Sequence, residues 1–237
     1  MKTFFANRKF KLALWEIGCF LWICFAGGLL HFAFELSEYW TPMALIAAVN
    51  ESVWEHIKMY FWPGFAFALV QWTYSRNYSN NYWLGKAAAL AITPFVIIIS
   101  YEAYMAYAAA TDIKPSLMTM LTIMFGGVGL GQFVSFLILS APPMSARAMR
   151  LAPATFATLL FMFGTFTYFP PKLPLFENYA CYTYTGEYGI LDDYEPYRIF
   201  SKVDANGEKQ EGLGVNYCET FKSKFLANVA DPSDSES

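Results

Sequence analysis

The sequence predicts an all-α integral membrane protein, folded as a five-transmembrane-helix bundle with a polar external C-terminal tail. Of its 237 residues, 56% are hydrophobic and only 15% are charged, whereas an ordinary soluble domain carries about 25% charged residues. Long apolar runs fill the first two-thirds of the chain, and most of the polar residues follow them. This pattern is typical of a chain that crosses a membrane several times.

The first predicted helix covers residues 12–34, which are apolar except for Glu16 and His31. A cleaved signal peptide would have an apolar core of only about 7–15 residues, followed by a small-residue cleavage site. The run in this sequence is longer and has no such site. We therefore expect a retained transmembrane helix.

Four more helices are expected, separated by polar or proline-containing loops. The second is expected to begin at Asn50, an N-cap residue type, and the fifth to end before Pro170 and Pro171. Residues 43–49 are apolar but too few to cross a bilayer, so they are expected to pack at the membrane interface. The four predicted helices cover residues 50–74, 83–109, 116–140 and 151–168.

Three regions follow from this division. They are a five-helix transmembrane domain at residues 1–171, an external polar tail at 172–229 and a disordered acidic end at 230–237. Aromatic and β-branched residues between glycine turn signals favour short strands in the tail. Cys181 and Cys218 also lie in the tail, and they would be able to form a disulfide if the tail is outside the cell.

The distribution of basic residues predicts the orientation in the plasma membrane. Cytoplasmic loops of membrane proteins carry an excess of lysine and arginine. With five crossings, the basic positions fall on one side, so the N-terminus is expected to be cytoplasmic and the tail external. These positions are Lys2, Arg8, Lys9, Lys11, Arg76, Lys86, Arg147 and Arg150.

The only two histidines are both expected beside acidic residues in the outer half of the bundle. His31 and Glu35 are four residues apart near the outer end of the first helix, so they share a helix face. Glu51, Glu55 and His56 are expected in the first turns of the second helix, which enters from outside. A charge at the centre of a membrane helix costs about 2.5–3.5 kcal/mol, so such groups favour one another, a cation or water.

These residue types favour a metal site. Carboxylates and imidazoles from facing helices hold metals inside helical bundles, and mixed nitrogen and oxygen ligands suit Zn²⁺, Fe²⁺ or Mn²⁺. The spacing matches no known metal motif. Glu55 and Glu102, the latter near the outer end of the third helix, are the candidate catalytic residues. The candidate metal ligands are His31, Glu35, Glu51, Glu55 and His56.

Two other interpretations of the cluster stay open. In one, it is structural: Glu51 and Glu55 stabilise a helix N-terminus, and Glu55 pairs with Lys58. In the other, the acids and imidazoles relay protons.

Three functions therefore remain. The first is a membrane metalloprotein that acts as a hydrolase or oxidoreductase on a small-molecule or lipid substrate. The second is a proton-coupled or small-solute transporter, and the third is a non-enzymatic scaffold. The expected partner is the lipid bilayer. Nucleic acid is not expected, because the sequence has no basic patch with interleaved aromatic residues.

A glycine pair within the fourth predicted helix indicates close helix packing. Gly127 and Gly131 form a Gly-x-x-x-Gly pattern, which lets two membrane helices approach closely.

The stretch from Asn50 to Lys58 reads Asn-Glu-Ser-Val-Trp-Glu-His-Ile-Lys and follows the helix end His31-Phe-Ala-Phe-Glu35. This stretch resembles a signature of a family of bacterial multi-pass membrane proteins, the domain of unknown function 6512. Residues 169–176 and 186–190 are similar to the closing segment of that family. Where its members often have a proline before Asn-Glu-Ser, this chain has Ala-Ala-Val. The resemblance covers roughly residues 12–190 and implies a bacterial integral membrane protein, but it implies no activity.

Overall fold

The computed structural model describes residues 7–37 and 40–176, and all regular structure in these two stretches is helical. The all-α class is thus confirmed for this part of the chain. The helices are α1 (Arg8–Leu36), α2 (Val53–Ser75), α3 (Tyr82–Thr111), α4 (Leu117–Ser140), α5 (Ala146–Met149) and α6 (Leu151–Thr165), with short 3₁₀ helices at Thr41–Leu45 and Pro174–Phe176.

Within residues 7–37 and 40–176, four helical segments are long and apolar enough to cross a membrane. They are α1, α3, α4 and the continuous stretch Ala146–Thr165, which joins α5 to α6. These segments fit a membrane protein. Helix α2 has 23 residues, a length that can span about 30 Å, but its first turns carry Glu55, His56 and Lys58. Crossing by α2, and hence the count of five spans, stays a prediction.

The predicted start of the second helix was wrong. Ser52, not Asn50, caps α2: its side-chain oxygen accepts a hydrogen bond from Glu55 N at 3.2 Å, and its carbonyl accepts the first helical bond from His56 N. Asn50 supports the turn before the cap, because its Oδ1 accepts from Ser52 N at 3.0 Å. Glu51 consequently lies before the helix and does not share a helix face with Glu55.

The chain divides into two compact units. The first consists of Met1–Gly27 and Tyr60–Met162, and the second of Gly28–Met59 and Phe163–Ser237. The strands predicted between residues 172 and 229, the pairing of Cys181 with Cys218 and the acidic end at 230–237 all concern residues beyond 176, outside the described part.

In the first unit, α3 and α4 are in close contact at the two predicted glycines. A Cβ atom placed on Gly127 would lie 2.5 Å from Ile97 Cγ1. One placed on Gly131 would lie 2.2 Å from Thr93 Oγ1 and 2.9 Å from Ala89 O. Only glycine allows this approach, as the Gly-x-x-x-Gly pattern predicts.

A buried ion pair connects three helices of the first unit. Lys86 Nζ of α3 donates to both carboxylate oxygens of Glu16 of α1, at 2.7 and 2.8 Å. Gln71 of α2 adds a hydrogen bond from its Nε2 to Glu16 Oε1 at 2.8 Å. All three side chains are buried. Each charge therefore has its opposite within hydrogen-bonding distance, which offsets the cost of removing both from water.

The core of the second unit is aromatic. The Trp54 ring stacks on Phe163, with ring centroids 4.6 Å apart, and it also contacts Phe166 and Phe176. Phe34, Ala44 and Ala47 form a second buried cluster. The Trp54 contacts attach the start of α2 to the end of α6 and to the segment that follows it.

Gly131→Ala is expected to lower the free energy of unfolding by about 1–3 kcal/mol, because the new methyl group would overlap Thr93 and the Ala89 carbonyl. The matched control is Gly126→Ala, on the same helix, where an added Cβ meets nothing within 4 Å. That variant should be unchanged or more stable by up to about 1 kcal/mol, since alanine favours helices. Denaturant titration in detergent micelles measures both. Equal effects at the two positions would contradict the close packing.

Candidate metal centre

Three of the predicted ligands meet in the second unit. His31 lies in the last turns of α1, Glu51 in the turn before α2, and His56 in the first turn of α2. One ligand atom from each lies within 4.8 Å of the others. The backbone turn at residues 50–52 brings Glu51 to the two imidazoles.

The Glu51 carboxylate lies between the two rings. Its Oε1 is 3.6 Å from His31 Nε2, and its Oε2 is 3.4 Å from His56 Nε2. The two imidazoles meet edge to face, with centroids 5.3 Å apart. Both distances are longer than a normal N–H···O hydrogen bond, so a space remains between the carboxylate and the two rings.

The tautomer of His56 follows from its contact with the helix cap. Its Nδ1 lies 2.8 Å from the Ser52 carbonyl oxygen. A carbonyl oxygen only accepts, so Nδ1 must carry a proton and donate it. In the neutral ring, Nε2 then directs its lone pair at the Glu51 carboxylate. Two acceptors in this position repel each other unless a cation lies between them or the ring takes up a second proton.

His31 is held differently. Its Nδ1 is buried and has no hydrogen-bond partner among the described residues. A histidine that binds metal usually donates its other ring nitrogen to a carbonyl or carboxylate. His56 has this orienting bond, and His31 lacks it in the described part of the chain. The His31 ring packs instead against the ring of Phe32, with ring centroids 4.9 Å apart.

The site is open enough for an ion and a further ligand. The side chains of His31, His56 and Glu51 are 23%, 18% and 25% exposed. Two ligands bound to one zinc at about 2.1 Å in tetrahedral geometry lie about 3.4 Å apart. The spacing of 3.4 and 3.6 Å between the nitrogens and the carboxylate oxygens suits such an ion.

Glu55 belongs to a separate network in the same unit. It forms a buried ion pair with Lys58, as the structural interpretation anticipated. Lys58 Nζ also donates to the Ala44 carbonyl at 2.7 Å and to Thr167 Oγ1 at 2.8 Å. Thr167 in turn donates to Glu55 Oε1 at 2.7 Å, and Glu55 Oε2 accepts from Val49 N at 3.1 Å.

Every polar atom of this network is therefore in use. Lys58 has three N–H groups and three acceptors, and both oxygens of Glu55 have donors. Glu55 therefore supports the first turn of α2, and it is not one of the three residues that meet at Glu51. Sequence reasoning missed Thr167, because a lone threonine in an apolar segment carries no signal of its partner.

Two other predicted residues lie outside the group of three. Glu35 is one helical turn beyond His31 on α1, but the described metal-ligating cluster contains only His31, Glu51 and His56. Glu102 is an exposed residue of α3 in the first unit. The catalytic roles suggested for Glu55 and Glu102, and the ligand roles suggested for Glu35 and Glu55, stay predictions.

The chain was compared with known protein families, curated proteins and solved structures. Residues 4–190 match a family described as a family of unknown function (DUF6512). No curated protein matches the sequence, and no solved structure does. The matched range includes all three residues of the group.

Lys58→Met is expected to lower the free energy of unfolding by about 3–5 kcal/mol, because it leaves the Glu55 carboxylate buried without its cation. The double variant Glu55→Gln/Lys58→Met removes both charges and should recover most of this loss. Lys9→Met, at an exposed position, serves as the control and should change stability by less than about 0.5 kcal/mol. Thermal unfolding in detergent compares the three. If the double variant is no more stable than Lys58→Met, the charge pairing is not what stabilises this network.

Proposed function

This chain belongs to the family of unknown function DUF6512, and we propose that it is a membrane metalloprotein whose ion is bound by His31, Glu51 and His56. The observation that carries the proposal is the orientation of His56. The Ser52 carbonyl holds the proton on Nδ1, so the Nε2 lone pair faces a carboxylate oxygen 3.4 Å away. A divalent cation between them turns this repulsion into two bonds.

The donor set favours zinc. Two imidazole nitrogens and one carboxylate oxygen are the ligands of several catalytic zinc sites, in which a water takes the fourth position. Fe²⁺ and Mn²⁺ accept the same donors. Calcium is disfavoured, because it takes six to eight oxygen ligands.

Three protein ligands leave a coordination position for chemistry, so we assign the site to hydrolysis. Bound zinc lowers the pKa of its water to about 7, which supplies hydroxide near neutral pH. All three side chains are partly exposed, so a substrate can reach the site. In this scheme Glu55 and Lys58 position the first turn of α2 and transfer no proton. An oxidoreductase with iron or manganese would use the same ligands.

Helix contacts in the first unit support an orientation in which the N-terminus is cytoplasmic. Arg8, at the start of α1, donates to Tyr78 O at 2.6 Å and to Leu139 O at 2.9 Å. Asn80 reaches the Ala141 carbonyl at 2.7 Å. The start of α1, the α2–α3 loop and the end of α4 therefore meet at one end of this unit. These are the basic segments that the positive-inside rule assigns to the cytoplasm.

A proton-coupled transporter is the second candidate. The buried Glu16–Lys86 pair favours it, because both residues lie in segments able to cross a membrane, where ionisable groups often mark proton or solute paths. A transporter would work without a bound metal. Metal content and proton-coupled flux in proteoliposomes therefore distinguish the two candidates.

Purified protein loaded with Zn²⁺ and passed through a desalting column should retain about one zinc per chain. His56→Ala and Glu51→Gln should each lower the affinity by at least tenfold, since each removes one of three protein ligands. Glu35→Gln is the matched control and should retain wild-type zinc. Elemental analysis and competition with a chromophoric chelator provide the measurement. Wild-type protein that retains no zinc, iron or manganese would overturn the proposal.

The topology is tested by cysteine labelling in intact cells, in a background where the four native cysteines are replaced by alanine. We expect a membrane-impermeant maleimide to label Lys114→Cys, in the exposed α3–α4 loop, without permeabilisation. Asn77→Cys, in the exposed α2–α3 loop, should react only after the cells are permeabilised. The reverse pattern would show that the N-terminus is external.

A further inference from the structure

The hydroxyl group of Thr167 connects the segment after α6 to the start of α2. Thr167 is buried. Its Oγ1 donates to Glu55 Oε1 at 2.7 Å and accepts from Lys58 Nζ at 2.8 Å. A hydroxyl group has a single proton to donate, so the proton points at the carboxylate and a lone pair faces the ammonium group. Thr167 therefore sets how the Glu55 carboxylate is turned.

The other oxygen of that carboxylate holds the segment that carries Glu51. Glu55 Oε2 pairs with Lys58 and accepts from Val49 N at 3.1 Å. Val49 lies two residues before Glu51, in the turn that precedes α2. The two oxygens belong to one planar group, so an oxygen held by Thr167 fixes the direction of the other. A contact made after α6 thus reaches a proposed metal ligand in two steps, through the carboxylate and then through a backbone amide.

The two imidazoles are held by other contacts. His56 Nδ1 donates to the Ser52 carbonyl at 2.8 Å. His31 lies on α1, where its ring packs against the next residue, a phenylalanine. Neither contact uses the Thr167 hydroxyl. Its effect on the three-residue group is therefore expected at Glu51 rather than at the histidines.

We propose that Thr167 is a positioning residue for Glu51: its hydroxyl orients the Glu55 carboxylate, and this carboxylate holds the turn that presents Glu51 to the ion. The inference rests on the metal centre proposed above. Thr167 is not a member of the ligand group itself. Its removal should therefore weaken ion binding while all three ligands stay in the chain.

Thr167→Val keeps the shape of the side chain and removes its hydroxyl. The zinc affinity of the full chain in detergent, measured by competition with a chromophoric chelator, should fall about fivefold, as expected for one buried hydrogen bond. Thr167→Ser keeps the hydroxyl and should restore the wild-type affinity. Tyr168→Phe is the matched control. It removes the neighbouring hydroxyl, which donates to Thr41 O at 3.1 Å, and should bind zinc like the wild type.

A double-mutant cycle separates positioning from a general loss of stability. In a Glu51→Ala background, Thr167→Val should lower the zinc affinity no further, because the ligand that it positions is already gone. In a His56→Ala background, the same change should still cost about fivefold. An equal loss in the wild-type, Glu51→Ala and His56→Ala backgrounds would overturn the proposal, because it would show that the hydroxyl only stabilises the fold.

Hydrogen exchange of the metal-free protein tests the contact without an ion. Mass spectrometry should find faster exchange in the segment 46–52, which contains the Val49 amide, in Thr167→Val but not in Tyr168→Phe. Unchanged exchange in α4 would show that the variant is folded. If the wild type binds zinc, unchanged affinity and exchange in Thr167→Val would overturn the role of Thr167 alone. A wild-type protein that binds no metal would overturn the metal centre and, with it, this role.

Discussion

One buried ammonium group determines the arrangement of the second unit. Lys58 is fully buried, and its three donors go to the Ala44 carbonyl, to Glu55 and to Thr167. These partners belong to the first 3₁₀ helix, to α2 and to the segment after α6. A charge without water or a counterion is too costly to bury, so the three segments must meet at this point. The first turn of α2, which carries His56, is thereby held in one position.

Hydropathy was sufficient to predict the helices that have no competing signals. Segments predicted at residues 83–109 and 116–140 are found as Tyr82–Thr111 and Leu117–Ser140. The start of α2 was harder, because Asn50 and Ser52 are both good N-cap residues. Which of the two residues caps α2 depends on hydrogen bonds that the sequence does not reveal. Asn50 Oδ1 accepts from Ser52 N, and Ser52 Oγ accepts from Glu55 N.

The wrong predicted start of α2 changed the partners expected for Glu51 and Glu55 in the candidate site. With a helix from Asn50, Glu51 and Glu55 would share a face and act together. With the helix starting at Val53, Glu51 turns to the histidines and Glu55 to Lys58. The sequence could predict that His31, Glu51 and His56 would meet, because charged groups in apolar segments favour one another. It could not predict Thr167, which lies 109 residues from Lys58 and resembles any other threonine.

Ser52 joins the secondary structure to the site. Its carbonyl accepts the first backbone bond of α2 and also orients the ring of His56, while its hydroxyl caps the same turn. Unwinding of this single turn would therefore release the imidazole as well. The residence time of an ion bound there would be limited by how often one helical turn frays, so amide hydrogen exchange at the start of α2 would slow in step with occupancy.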